Sequence, residues 1–374
     1  MHSAGFSPEA DDPMVPPVDE RALQATLSTF FGAPARIEEV SEMAGDASTR
    51  RYYRIRMAPG SPLLSLVMMH YPDDIPPGEE LPFVNVHRYL RLARVPVPEI
   101  YLAAPEAKLL FLEDAGDTLL EGALGAAGIG GDVLSLYERC VEILVRIQWD
   151  GTRALDGNAI PARLSFDVKK FAEEIDFFFE HAVREYGGIN LSDAEEGAIE
   201  DLFLPFLEEL AALPRVLCHR DYHSRNVMVL SGAAEGRREL RILDFQDARM
   251  GNVYYDLCSL FRDSYASLPE NAVEHLCYAY RHASPRGLKA MWGDPAAFDR
   301  RLDAAALQRN VKAIGTFGNQ ARNRGKNFYL RFIPPTVAHL ASNFDRNPRM
   351  RPLSRKLLPI LSALSARAEE ESAP

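Results

Sequence analysis

The first 107 residues of this 374-residue chain contain no lysine; Lys108 is the first. No apolar run approaches the ~18 residues that suggest a membrane span, so no spanning helix is expected. The opening segment, MHSAGFSPEADDPMVPPVDE, lacks a cationic patch followed by an apolar core, so no signal peptide is expected. The four cysteines, Cys140, Cys218, Cys258 and Cys277, form no C-x-x-C pair. They read as buried small apolar side chains without a disulfide framework, consistent with a reducing cytoplasm. A net charge of −11 argues against a general nucleic-acid binder. It leaves nucleotide enzymes open, because only the charge at the phosphates matters to them. The Gly-rich stretch GALGAAGIGG (122–131) lacks the G-K-[ST] ending of a P-loop and reads as a loop. No internal repeat is present.

What remains is the composition of an ordinary globular protein, 47% hydrophobic and 25% charged, long enough for one large or two medium domains. Residues 1–18, rich in Pro and Asp, are expected to be a disordered tail. A helix is expected over Glu20 to Phe31. Short β-like runs follow at Arg36 to Met43, Arg50 to Met57 and Leu63 to His70, with the small-residue turn AGDAS (44–48) between the first two. Residues Glu79 to Val95 have helical spacing, and PVPEIYLAAPEAKLLFLED reads as two further strands. This makes a five-stranded N-terminal lobe over 19–114. Helices are expected at Asp132 to Trp149, Phe166 to Tyr186 and Glu195 to Ala212. A hairpin-like insert (SGAAEGRREL) and more helices follow, giving a C-terminal lobe over 115–366 and a tail over 367–374. The class is α+β.

Between two strand-like pieces lies HRDYHSRN (His219 to Asn226), which fits H-R-D-x-x-x-x-N, the catalytic-loop spacing of kinases. Phosphoryl transfer needs a carboxylate to receive the proton of the attacking hydroxyl and an oxygen ligand nearby for Mg²⁺. Asp221 is the candidate base, and Asn226 a candidate metal ligand. A second carboxylate follows an apolar run in RILDFQD: Asp244, with Phe245 as in D-F-G and Gln246 where that motif has Gly. Five positions in the right order make two unrelated polar turns a poor explanation.

With these motifs in hand, the chain resembles the aminoglycoside phosphotransferase-like branch of the protein-kinase superfamily, with its bilobal plan. DFQDARMGNVYYDLCSLFRD is similar to that branch's D-x-x-x-x-x-x-G-x-x-x-x-D-L pattern, filled by Gly251, Asp256 and Leu257. The resemblance implies that Asp256 is structural and ties a helix to the catalytic loop. No A-P-E segment follows, which disfavours a protein kinase. More narrowly, AGDASTRRYYR, LEDAGD, HRDYHSRN, DFQDA and QRNVKAIGTFGNQARNRGKNFYL look like segments of the bacterial cell-wall amino-sugar kinases. Those enzymes phosphorylate the anomeric hydroxyl of N-acetylmuramate and N-acetylglucosamine. The resemblance implies ATP and Mg²⁺ as cofactors, a cytoplasmic role in peptidoglycan recycling, and a monomer acting on a small molecule without nucleic acid or membrane.

The missing lysine bears on this reading. Protein kinases hold the α- and β-phosphates with a Lys on the third strand. Here that strand reads LVMMH, with Met69 or His70 at the place. Arg51 shares a strand face with Tyr53, Ile55 and Met57; that apolar face is expected to look inward, toward core and cleft, which makes Arg51 the candidate substitute phosphate clamp. Gly45 with Asp46, Ser48 and Thr49 can present backbone N–H groups and hydroxyls to phosphates. Glu113 and Ala115, on the connector LFLEDAGD, are candidates for adenine contact through backbone. Acceptor candidates are His223, Arg225, Gln246, Asp247, Arg309, Lys312 and Asn319. Arg309 and Lys312 are three apart on one helix face and would suit the carboxylate of N-acetylmuramate. The run Phe177 to Phe179 reads as core rather than sugar platform. Two alternatives stay open: a kinase for an aminoglycoside, choline or homoserine, and a non-catalytic module of the same fold.

Overall fold

The computed structural model describes residues 19–43, 50–72, 74–76, 78–124, 130–230 and 238–372. The chain forms two compact units, one of residues 1–77 and 98–115, the other of 78–97 and 116–374.

The first unit is an antiparallel sheet with a helix on one face. Helix α1 (Glu20–Phe31) begins at Asp19, whose carboxylate accepts from the Ala22 N–H at 3.3 Å, and ends at Gly32 in the left-handed conformation, φ 65°. Strands β1 (Ile37–Glu42), β2 (Arg51–Met57), β3 (Ser65–His70), β4 (Ile100–Ala104) and β5 (Leu109–Glu113) run in the order β1-β2-β3-β5-β4. Alternation decides the core. Tyr53, Ile55 and Met57 of β2, Leu66 and Met68 of β3, and Leu109 and Phe111 of β5 pack with Leu23 and Leu27 of α1. The apolar face of β2 therefore looks toward α1, not toward a ligand. Arg54 lies on the opposite face of β2 and pairs with Asp114 at 2.9 Å.

The second unit starts with α2 (Pro82–Leu92), which the sequence reading put in the first lobe. Its packing explains the difference: Phe83 stacks on Phe245 at 4.7 Å, and the Asn85 side chain bonds the backbone at Asn158 and Ile160. Next come α3 (Leu120–Ala123) and α4 (Gly131–Arg146). The expected helix to Trp149 widens into a π turn at Ile147–Gly151, which runs on into α5 (Thr152–Ala154). The turn delivers the Thr152 hydroxyl to the Leu217 N–H at 2.7 Å. Helix α6 (Ile160–Arg163) precedes α7 (Val168–Phe178), which also passes into a π segment, Phe179–Tyr186. Phe178 and Phe179 are fully buried core, as their type suggests. Helix α8 (Asp193–Ala212) opens on a capping box of Ser192 and Glu195.

Short ladders carry the motif residues. Strand β6 (Val216–Cys218) pairs with β9 (Arg249–Gly251), and β7 (Val227–Val229) with β8 (Leu240–Ile242). The last pair brackets the expected hairpin, whose tip at 231–237 lies outside the described residues. Then follow α9 (Tyr254–Phe261), α10 (Glu270–Ala283), α11 (Arg286–Lys289), α12 (Phe298–Arg324), α13 (Ile333–Arg346) and α14 (Arg351–Ser372). Helix α14 runs through most of the expected 367–374 tail, with Ala368 buried.

Helix α12 is buried along most of its length. Gly315 and Gly318 permit this: a Cβ at Gly318 would lie 2.6 Å from the His181 carbonyl oxygen, and one at Gly315 2.9 Å from the Phe178 Cα. The helix can lie against the α7 backbone only because both positions lack a side chain. All four cysteines are buried and free. Among the described residues no helix is long and apolar enough to cross a membrane.

Candidate active site

The loop from His219 to Asn226 is held from beneath by two buried carboxylates. Asp256 of α9 accepts from the backbone N–H of His219 at 2.7 Å and of Arg220 at 3.0 Å. Burial pushes its carboxyl up to about 7, against the pull of those two donors. Asp263, just past α9, accepts from the Ser224 N–H at 2.8 Å and the Tyr265 N–H at 2.8 Å. Tyr222 anchors the loop sideways through its hydroxyl on the Cys140 carbonyl, 2.8 Å. With these ties the backbone holds Arg220 at φ 87°, a conformation that a non-glycine residue keeps only when its surroundings impose it.

Asp221, Asn226 and Asp244 lie at this end of the unit. Asn226 precedes β7 and Asp244 follows β8, and the Leu243 N–H donates to the Asn226 carbonyl at 2.9 Å, so both residues leave the same end of one ladder. The Asn226 amide nitrogen donates to the Asp221 carbonyl at 2.9 Å. His219 braces the far side, its Nε2 donating to the Leu243 carbonyl at 2.8 Å. Asp244 sits at φ 58°, with Oδ1 accepting from the Gln246 amide at 2.6 Å. It keeps an exposed face, yet the crowding protein and the nearby Asp221 charge raise its carboxyl, against the Gln246 hydrogen bond.

Asp221 behaves oppositely. Burial would raise its carboxyl, but the positive charges of Lys312, Arg220 and Arg309 outweigh burial and hold it well below the usual carboxylate range. Lys312 Nζ donates to Asp221 Oδ1 at 3.0 Å. Arg309, one turn earlier on α12, is 3% exposed and donates from Nε to the Ser259 hydroxyl at 2.6 Å. Neither residue is the solvent-facing cation that the carboxylate of N-acetylmuramate would need.

The other expected residues fall into separate groups. Arg51 makes a two-pronged pair with Glu42, 3.0 Å on each side, and its Cζ lies 5.4 Å from the Tyr53 ring. It lies at the rim of the face that α1 covers, so the reason for choosing it as a phosphate clamp fails. Gly45, Asp46, Ser48 and Thr49 lie outside the described residues. The Glu113 carboxylate accepts from the Glu99 N–H at 3.1 Å, and Ala115 is half-buried. His223 is buried, and burial together with Arg309 holds its ring neutral, far below the ordinary histidine range. Arg225 turns into aromatic rings, 5.0 Å from Tyr265 and 5.9 Å from Phe332. Gln246 is tied to Asp244, and exposed Asp247 stands 3.6 Å from Arg220. Asn319 accepts from Asn323 at 2.8 Å.

Sequence reasoning missed Asp263, Ser259 and the Arg54–Asp114 pair.

Residues 39–291 match the family described as "Phosphotransferase enzyme family". The chain belongs to that family. It is an ATP-dependent phosphotransferase with a protein-kinase-like fold. It is 30% identical over 312 residues to an N-acetylmuramate/N-acetylglucosamine kinase of Pseudomonas putida, covering 83% of this chain and 85% of the relative. It is likewise 30% identical over 326 residues to the protein of that name from Pseudomonas aeruginosa, covering 85% and 88%. Among solved structures, the GDP complex of an aminoglycoside 2′-phosphotransferase superposes with a TM-score of 0.58 at 13% identity, covering 88% of this chain and 100% of that one. At that identity the likeness concerns the fold.

Proposed function

We propose that this chain transfers the γ-phosphoryl group of ATP to the anomeric hydroxyl of N-acetylmuramate, N-acetylglucosamine or both, the chemistry of cell-wall amino-sugar recycling. The observation that carries the reading is the ionised Asp221 carboxylate, held by Lys312 at 3.0 Å, on a loop that also joins Asn226 to the strand leading into Asp244. The names of the relatives supply the acceptor class.

In this mechanism Asp221 receives the hydroxyl proton as the sugar oxygen attacks phosphorus. An anomeric hydroxyl is more acidic than an ordinary alcohol, so a carboxylate of low pKa suffices. Such a base contributes ~10²–10⁴ in rate. Asn226 and Asp244 would hold Mg²⁺. The fit is good: the Asn226 nitrogen is committed to the Asp221 carbonyl, leaving its amide oxygen for a cation. Two side chains would leave the rest of the Mg²⁺ shell to phosphate oxygens and water. When bound, Mg²⁺ neutralises charge on the phosphates. The AGDAST segment is our proposed phosphate contact on the first unit. The cations beside Asp221 disfavour cationic acceptors such as choline or an aminoglycoside.

The test is ATP turnover against N-acetylmuramate, N-acetylglucosamine, an aminoglycoside and choline, with ³¹P NMR to locate the new phosphate. The expected result is phosphate on C1 of one or both amino sugars, abolished by EDTA and restored by Mg²⁺. Turnover of choline or the aminoglycoside alone would reject the proposal.

A further inference from the structure

Lys312 reaches the proposed base from 91 residues further along the chain. A lysine on a buried helix is costly unless paired, and a buried pair is weak evidence for stability, because apolar replacements often do as well. The catalytic loop has cationic residues of its own, and the Arg220 charge acts on Asp221, but their ion-pair and ring partners are other groups. Arg220 leans toward Asp247 at 3.6 Å, and Arg225 stands against Tyr265 and 3.5 Å from Glu121. His223, two residues after Asp221, is held neutral. The hydrogen bond on the Asp221 carboxylate among the described residues comes from Lys312, whose side chain is only 14% exposed.

We propose that Lys312 is a side-chain positive charge of the transfer step, holding the Asp221 carboxylate in position before reaction and then turning its ammonium to the oxygens of the migrating phosphoryl group. The proposal rests on the kinase reading with Asp221 as base. The bookkeeping is simple. The sugar O–H bond breaks and its proton goes to Asp221. The sugar oxygen bonds phosphorus, and the bond from phosphorus to the ADP oxygen breaks with its electron pair on ADP. Lys312 keeps its proton throughout. Once Asp221 is neutral, its hold on the ammonium drops from a charge-assisted to an ordinary hydrogen bond. The phosphoryl oxygens are still negative, and an ammonium on a flexible stem can follow that charge.

Other groups also act on Asp221. From its own loop come His219, Arg220 and His223, and from the segment after β8 comes Asp244. Tyr255 and Asp256 of α9 and Arg309 of α12 complete the set.

The experiment is steady-state kinetics of K312M and K312R from pH 5 to 9 on whichever amino sugar is turned over. K312M should lose ~10²-fold in kcat, with the sugar KM within about threefold. K312R, which keeps the charge, should recover part of that loss but not all of it. A rise in sugar KM alone, or an unchanged kcat in K312M, overturns the proposal. If thermal melting shows K312M unfolded, a K312R with wild-type kcat at every pH overturns it instead. The underlying reading fails separately: D221N with full turnover, or wild type with none, rejects Asp221 as base whatever Lys312 does.

Discussion

The sheet of the first unit and helix α12 of the second both carry cations, and they use them in opposite ways. On the sheet, Arg51 pairs with Glu42 at side-chain exposures of 34% and 32%, and Arg56 with Glu39 at 60% and 52%. Exposed pairs of this kind contribute about 0–1 kcal/mol. On α12, Arg309 is buried and Lys312 half-buried, and each holds a group near the catalytic loop. The lesson is that a charge pattern on a strand reports solvation, whereas a charge on a helix buried on nearly all sides reports a partner.

The contrast predicts a gradient of effects. At the top, Asp221→Asn should reduce kcat by ~10²–10⁴ while leaving the fold intact, read by steady-state kinetics beside circular dichroism. A kcat within threefold of wild type would erase the contrast at its strongest point. Asp256→Asn comes next and has a pH signature. The folded carboxyl of Asp256 is raised to about 7, above the ~4 of an unfolded aspartate. The stability it contributes is full below ~4 and is lost as pH rises through about 7. The amide does not titrate, so D256N should be most destabilised relative to wild type near pH 4 and progressively less so up to pH 7. Denaturant midpoints at several pH values measure this, and a pH-independent difference would count against it. Gly318→Ala should cost about 2 kcal/mol, since the new methyl meets backbone atoms of His181 and Ala182 that cannot swing aside. An unchanged melting temperature would mean that α12 can shift without loss. At the bottom, Arg51→Gln should change stability by less than about 1 kcal/mol and the KM for ATP by less than about threefold. A tenfold rise in that KM would restore Arg51 as a phosphate clamp.

Much of the local architecture was legible from pattern alone. Helix α1 appears with its expected bounds, because Asp19 and Gly32 mark its ends. The first three strands appear within a residue or two of their expected bounds, and the two further strands fall inside the expected segment, because period-two alternation and turn residues frame them. The two π segments were not legible: the apolar stripe runs on through Trp149 and Phe179, and the widening answers to contacts at Thr152 and beyond. The side on which β2 buries its apolar face was also invisible, because alternation names a face without saying what covers it. That face went to α1, and the choice of Arg51 went with it.

The run of eight residues from His219 to Asn226, followed by Asp244, determined the chemistry on offer, because a loop that short can hardly separate its own carboxylate and amide. Which lysine meets that carboxylate was decided by the packing of α12, through two glycines that let one helix lie on another backbone. Contacts between residues 91 positions apart leave no local trace in composition or period, so the sequence could offer Lys312 as an acceptor contact, but only the folded chain could pair it with Asp221.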